Sequence, residues 1–200
     1  MSRSLYLALP ILLILAGCAG QDTRDTSYPS WPEHRSALQQ LEHWTARGKL
    51  ALRSSERAET ATLLWQQQGL STELHLSGPM GVSATTITSD GQQMEIRQGD
   101  EFKTFDISTP DAIALNTGWD LPLHALLYWL KGIPVPESPV QLLELDPDRD
   151  LLRKLRQNGW EIHYEQYEQF KNLTLPTRLR IQRGSTSARM IIHDWQAQPS

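Results

Sequence analysis

Beyond residue 44 the apolar residues of this chain recur mostly at every second position, and that period restricts the fold to half-buried β-strands. Ala46, Gly48, Leu50 and Leu52 alternate with Arg47, Lys49 and Arg53. Successive side chains of a strand point to opposite faces, so alternation describes a sheet with one packed and one wetted face. Leu63 and Trp65 continue the pattern, then Leu74 and Leu76, Met94 and Ile96, and residues 102–107. Gln68-Gly69, Ser89-Asp90-Gly91 and Gly99-Asp100 supply the turns between them, which predicts an antiparallel meander. Its inward row, read to include Ala46, Gly48, Ala84 and Thr86, is only moderately bulky. Small inward residues leave room inside a curved sheet.

Helical signals flank and interrupt the strands. Ser30 precedes Trp31-Pro32 as a cap, with Pro tolerated in the first turn, and Ala37, Leu38, Leu41 and Trp44 follow at helical spacing. Thr109-Pro110-Asp111 opens a helix that ends near Gly118. Asp120, with Pro122 just inside, opens another, in which Leu123, Leu126, Leu127 and Leu130 form an apolar face closed by Gly132. Trp119, Tyr128 and Trp129 surround that face, and Ile133-Pro134-Val135-Pro136 reads as an extended exit. Alternation then returns. Trp160, Ile162 and Tyr164 follow Asn158-Gly159, a hairpin turn that favours a strand over a helix for residues 151–157. Leu179 and Ile181, then residues 190–195, complete the strands.

The N-terminus carries a separate signal. Arg3 precedes an apolar stretch over residues 5–15, and Leu15-Ala16-Gly17 leads into the chain's single cysteine, Cys18. This is the layout of a signal peptide, at about half the roughly 20 apolar residues a membrane-spanning helix needs. A cysteine at that point resembles the bacterial lipobox, in which the thiol is acylated and the chain is cut before it. The other reading is an ordinary leader that happens to contain a cysteine. With a lipobox, residues 1–17 are the leader, 18–30 an acylated start and polar tether, and 31–200 one domain. About 180 residues remain after cleavage, enough for a proper core. The net charge of −4 becomes one unit more negative when Arg3 leaves. With no cluster of Lys and Arg, nucleic acid is not an expected partner.

No catalytic, metal or cofactor constellation is present in the sequence. The six histidines stand singly, without metal-ligand spacing. Asp146, Asp148 and Asp150 imitate the start of a calcium loop, but Leu151 and Gln157 replace its glycine and glutamate, leaving a solvated acidic loop. No nucleophile elbow, phosphate loop or dinucleotide fingerprint occurs, and Gly78-Pro79-Met80-Gly81 is a turn. No enzyme activity and no cofactor are expected.

Several segments, taken in order, resemble one family. They are the lipobox, the Ser77-Gly78-Pro79-Met80-Gly81-Val82 tip, and Gly118-Trp119-Asp120-Leu121-Pro122-Leu123 continued by Tyr128-Trp129-Leu130-Lys131-Gly132-Ile133-Pro134. Asn158-Gly159-Trp160-Glu161-Ile162-His163-Tyr164 and Leu175-Pro176 fit as well. The likeness is to the LolB family, outer-membrane receptors of the bacterial lipoprotein-localisation pathway, and it spans the mature chain. It implies an open, incomplete antiparallel β-barrel with helices covering one side of a hydrophobic cavity. It further implies acceptance of lipoproteins from a LolA-like periplasmic carrier, binding of their acyl chains, and insertion into the inner leaflet of the outer membrane. A lipid anchor on Cys18, a membrane-inserting loop at Pro79, Met80 and Gly81, and outer-membrane phospholipid as a partner belong to the same expectation, with a monomer as the working unit. Trp65, Leu74, Leu76, Trp119, Leu123, Leu126, Leu127 and Leu130 are the expected cavity residues, since each lies on an apolar strand or helix face. Met80 departs from the leucine common at that tip, and Ala19 after the cysteine fits outer-membrane sorting. A structural or assembly lipoprotein that binds envelope proteins through an exposed apolar face is the alternative.

Overall fold

The computed structural model describes residues 29–55, 58–79, 84–107, 121–136 and 138–198. The alternating residues form the strands β1 (His43–Arg53), β2 (Ala58–Gln68), β3 (Ser71–Ser77), β4 (Thr85–Ser89), β5 (Gln93–Gln98) and β6 (Glu101–Asp106). After a helical interruption come β7 (Val140–Leu145), β8 (Leu152–Gln157), β9 (Trp160–Phe170), β10 (Leu173–Arg183) and β11 (Thr186–Gln198). All join one antiparallel sheet of order β6-β5-β4-β3-β2-β1-β11-β10-β9-β8-β7. The two meanders are fused where β1 pairs with β11. The outermost strands β6 and β7 do not pair with each other, so the sheet curves without closing, as an incomplete barrel.

The inward row of β1 is Trp44, Ala46, Gly48 and Leu50, facing Leu63 and Trp65 on β2 and Leu74 and Leu76 on β3. β11 changes parity midway. Ala188, Met190 and Ile192 point inward, then Trp195 and Ala197, because the register with β1 shifts between Arg47 and Gly48. One extra residue on β11 makes a bulge, which bends the strand and adds twist. Trp44 packs between Trp65 and Trp195, with ring centroids 5.6 and 5.4 Å away.

Helix α1 (Trp31–Gln39) starts at Ser30, whose N–H and hydroxyl both donate to the Glu33 carboxylate, at 3.0 and 2.7 Å. It stops short of the apolar series that continues to Trp44. Trp44 already belongs to β1, because its alternation with Ala46 and Gly48 places it in the sheet's inward row. A long-range bond fixes the helix start: the Trp31 N–H donates to the Asp150 carboxylate at 2.7 Å. Helix α2 (Leu123–Trp129) begins three residues later than the expected start at Asp120. Gly132, at φ +84°, ends it: its N–H bonds the Trp129 carbonyl, and the Ile133 N–H bonds that of Tyr128. That paired closure is a Schellman motif, which needs a left-handed residue. Asp120, Trp119 and the helix expected over 109–118 lie outside the described residues.

One reading of the strands requires correction. Ala84 and Thr86 do not form the inward row of β4; Thr85 and Ile87 do. Ile87 faces Leu74 across the ladder, and burying that large pair puts Thr86 outside, where its hydroxyl meets His75 Nδ1 at 3.1 Å. β7 carries no clean alternation in the sequence, because its pairing with β8 shifts register twice. Leu152–Gln157 form a strand, the choice the Asn158-Gly159 turn favours.

Candidate functional site: an apolar cavity under helix α2

Helix α2 carries more apolar surface than one contact face can use, and the structure divides it. Ala125, Leu126, Trp129 and Leu130 are buried in the core. Leu123, His124, Leu127, Tyr128 and Lys131, on the neighbouring rows, face a cavity of about 420 Å³. Opposite them stand Trp44, Trp65, Leu74, Ile87 and Met94 from β1 to β5, with Leu41 and Ile107 at the sides. Leu70, in the β2–β3 turn, and Gly91, in the β4–β5 turn, form the rim. Leu70 is 78% exposed, the most exposed large apolar residue described.

The polar groups of this wall are mostly satisfied within it. Gln67 Nε2 donates to the Gly69 carbonyl at 2.8 Å, while its Oε1 accepts from Thr72 Oγ1 at 2.7 Å and from Trp65 Nε1 at 3.4 Å. Partial desolvation holds His124 below the usual histidine range, so it is neutral at physiological pH. Lys131 is 6% exposed and donates from Nζ to the carbonyls of Leu38 and Leu41, at 2.8 and 3.0 Å. Burial pulls its pKa down to about 8, against a smaller opposing effect of the Glu42 charge.

Of the residues expected to line a cavity, the structure brings together Trp65, Leu74, Leu123 and Leu127. Leu76, Leu126 and Leu130 are buried core residues outside the cavity wall, because the helix and β3 each pack part of their apolar surface against other elements. Trp119, Met80, Gly81 and Cys18 lie outside the described residues, and Pro79 is exposed after β3. Sequence reasoning missed Trp44, Ile87, Met94 and Lys131 as wall residues. The alternation of β5 marks Met94 as inward, but parity does not separate wall from filled core, and Trp44 reads in the sequence as the end of the helical series before β1.

The acidic loop is occupied by its own chain. Asp146 accepts from the N–H groups of Asp148 and Arg149 and pairs with the Arg149 guanidinium at 2.9 Å, while Asp150 holds Trp31. No group of three or more His, Cys, Asp or Glu suited to a metal occurs among the described residues.

Comparison with known proteins matches this architecture to one family. The family model "Outer membrane lipoprotein LolB" covers residues 42–195. The outer-membrane lipoprotein LolB of Stutzerimonas stutzeri is 32% identical, over 95% of this chain and 94% of its own. That of Chromohalobacter salexigens is 33% identical, over 98% and 91%. Among solved structures, a LolA-superfamily protein from Nitrosomonas europaea superposes with a TM-score of 0.52 at 8% identity, over 82% of this chain and 93% of its own, a likeness of fold alone. A DUF1329-family protein from Desulfovibrio piger gives 0.58 at 10% identity, over 84% and 90%. With the family model spanning sheet, helix α2 and cavity alike, this chain belongs to the LolB family of outer-membrane lipoproteins.

Proposed function

We propose that this protein is the outer-membrane receptor that takes lipoproteins from a LolA-like periplasmic carrier and delivers them to the inner leaflet of the outer membrane. The carrying observation is the apolar cavity of about 420 Å³ between α2 and β1 to β5. Each acyl CH₂ shielded from water is worth about 0.8 kcal/mol, so a lipoprotein's chains cannot cross an aqueous compartment uncovered. A half-open sheet with a helix across it gives that cover and leaves a way out. Transfer runs downhill, from carrier to receptor to membrane, each holding the chains more tightly than the last. No step makes or breaks a covalent bond, so binding and not catalysis is the activity.

In this reading residues 1–17 are removed, acylated Cys18 anchors the chain, residues 18–30 tether it, and the body over 31–200 works as a monomer. The apolar Met80 at the 78–81 tip enters the acyl boundary and promotes release, where a charge is costly. The test is a two-stage transfer with labelled lipoprotein loaded on the carrier. Uptake by the receptor, followed by movement into liposomes, is the expected course. Met80→Glu should keep uptake and slow the second stage, and Cys18→Ala should lose acylation. A receptor that takes no lipoprotein from the carrier, while folded, removes the proposal.

A further inference from the structure

Leu123, Leu127 and Lys131 follow one another at intervals of four residues, so they form a single row along the cavity side of α2 and its closing turn. Two apolar side chains thus lead to one buried cation. The Lys131 ammonium has three N–H donors. Two are directed to the carbonyls of Leu38 and Leu41. The third has no acceptor among the described residues, and the Tyr128 ring lies 5.7 Å from Nζ. Gln67, the other buried polar side chain of the wall, is neutral and is tied at both amide atoms to Trp65, Gly69 and Thr72. A buried cation with an unused donor on an apolar wall suits a ligand with an oxygen at one end and a hydrocarbon tail.

We propose that Lys131 is a headgroup subsite: its third N–H donates to the carboxylate or ester-carbonyl oxygen of an acyl chain whose tail lies along Leu127 and Leu123. This rests on the reading of the cavity as an acyl-chain site and adds what that reading lacks, a direction for the chain and a polar selectivity. A free fatty acid and an ester-linked acyl group share the required oxygen, and they differ in charge. Lys131 holds α1 and α2 together as well, so its role in binding must be separated from its role in folding.

The test uses the mature chain with Cys18→Ala, which leaves the protein without its lipid. The probes are a conjugated-tetraene fatty acid, its methyl ester and the matching hydrocarbon. Energy transfer from the cavity residues Trp44 and Trp65 reports binding. The native side chain should favour the acid over the hydrocarbon by about ten-fold or more, the scale of a hydrogen bond to a charged group. Preference for the acid alone assigns the subsite to a free carboxylate, and preference for acid and ester assigns it to any acyl carbonyl. Lys131→Met should erase the preference for the acid over the hydrocarbon, and Lys131→Arg should retain it.

A second measurement needs no variant. Between pH 7 and 9 the acid should lose its advantage while the hydrocarbon does not, because Lys131, held near 8 by burial, gives up its proton. Glu42, His124 and Tyr128 also face this part of the cavity, and His124 is neutral throughout that range. Equal affinity of the native protein for acid and hydrocarbon overturns the subsite. So does a preference that survives in Lys131→Met. Saturable uptake of none of the probes removes the acyl-cavity reading itself, and the subsite with it.

Discussion

A Cβ added to Gly48 would run into the backbone carbonyl of Ile191 and stand 2.9 Å from Ile192 Cα. The bulge that lets β11 change parity thus needs a glycine opposite it on β1, since only a hydrogen there allows the two backbones to approach. Gly48→Ala forces the two central strands apart where the meanders are fused. The expected loss is about 2–4 kcal/mol of unfolding free energy, measured as a shift of the urea midpoint. A midpoint equal to the native one removes the close approach as a constraint.

Gln157 is fully buried and acts as a substitute strand for the segment leaving α2. Its Oε1 accepts from Trp129 Nε1 at 3.1 Å and from the Val135 N–H at 2.9 Å, and its Nε2 donates to the carbonyls of Val135 and Ser138. Gln157→Leu matches the volume and leaves those groups unpaired inside the protein. Each buried orphan costs about 1–3 kcal/mol, so a loss of at least about 3 kcal/mol is expected in thermal or urea unfolding. A near-neutral outcome would mean that water reaches these groups.

How far the fold was legible depended on whether its cause was local. Asn158 and Gly159 have φ of 54° and 74°, the doubly left-handed turn their residue types announce, and the strands beside them followed from it. Gly132 ends α2 for the same kind of reason. β7 was hidden because its two register shifts break the alternation that identifies a strand. The inward row of β4 turned on a cross-strand partner, Leu74, which no window of sequence contains. At the site, parity gave the faces of Trp65 and Leu74, and helical spacing gave those of Leu123 and Leu127. The burial of Lys131 was illegible, since the carbonyls it holds lie about ninety residues away in the chain.

Acid should destabilise the protein before its carboxylates titrate. His34 is 3% exposed, its Nε2 has no hydrogen-bond partner, and burial lowers its pKa from the ordinary 6.5. The folded state keeps His34 neutral where the unfolded chain binds a proton, so stability falls as pH drops below about 6.5, down to the folded-state value. The slope for one such group approaches 1.4 kcal/mol per pH unit at most. Glu33 and Glu161 are shifted down from 4.5, the latter to about 2, so their contributions persist above 4.5 and disappear only at lower pH. Urea midpoints at pH 7.5 and 5.5 therefore isolate the histidines. His34→Phe keeps a ring beside Trp31 and should reduce the difference, and His124→Asn should reduce it further. An unchanged difference in the double variant assigns the acid sensitivity elsewhere.

Adjacent leucines of α2 should fail in opposite ways. Leu126 is 2% exposed in the core, whereas Leu127 is half-buried on the cavity wall. Leu126→Ala removes packed methyl groups and should cost about 2–5 kcal/mol in unfolding, with lipoprotein uptake proportional to the folded fraction. Leu127→Gln places an amide on a half-buried wall position that solvent reaches, so the unfolding free energy should change by less than about 1 kcal/mol. Its effect falls on the ligand, since an acyl chain covering that amide removes it from water without a partner, a cost of about 1–3 kcal/mol and hence roughly five- to 150-fold in affinity. Transfer from the loaded carrier should slow accordingly in Leu127→Gln, at native stability. A variant that stays folded and accepts lipoprotein at the native rate would return Leu127 to the core and leave the cavity without its helical wall.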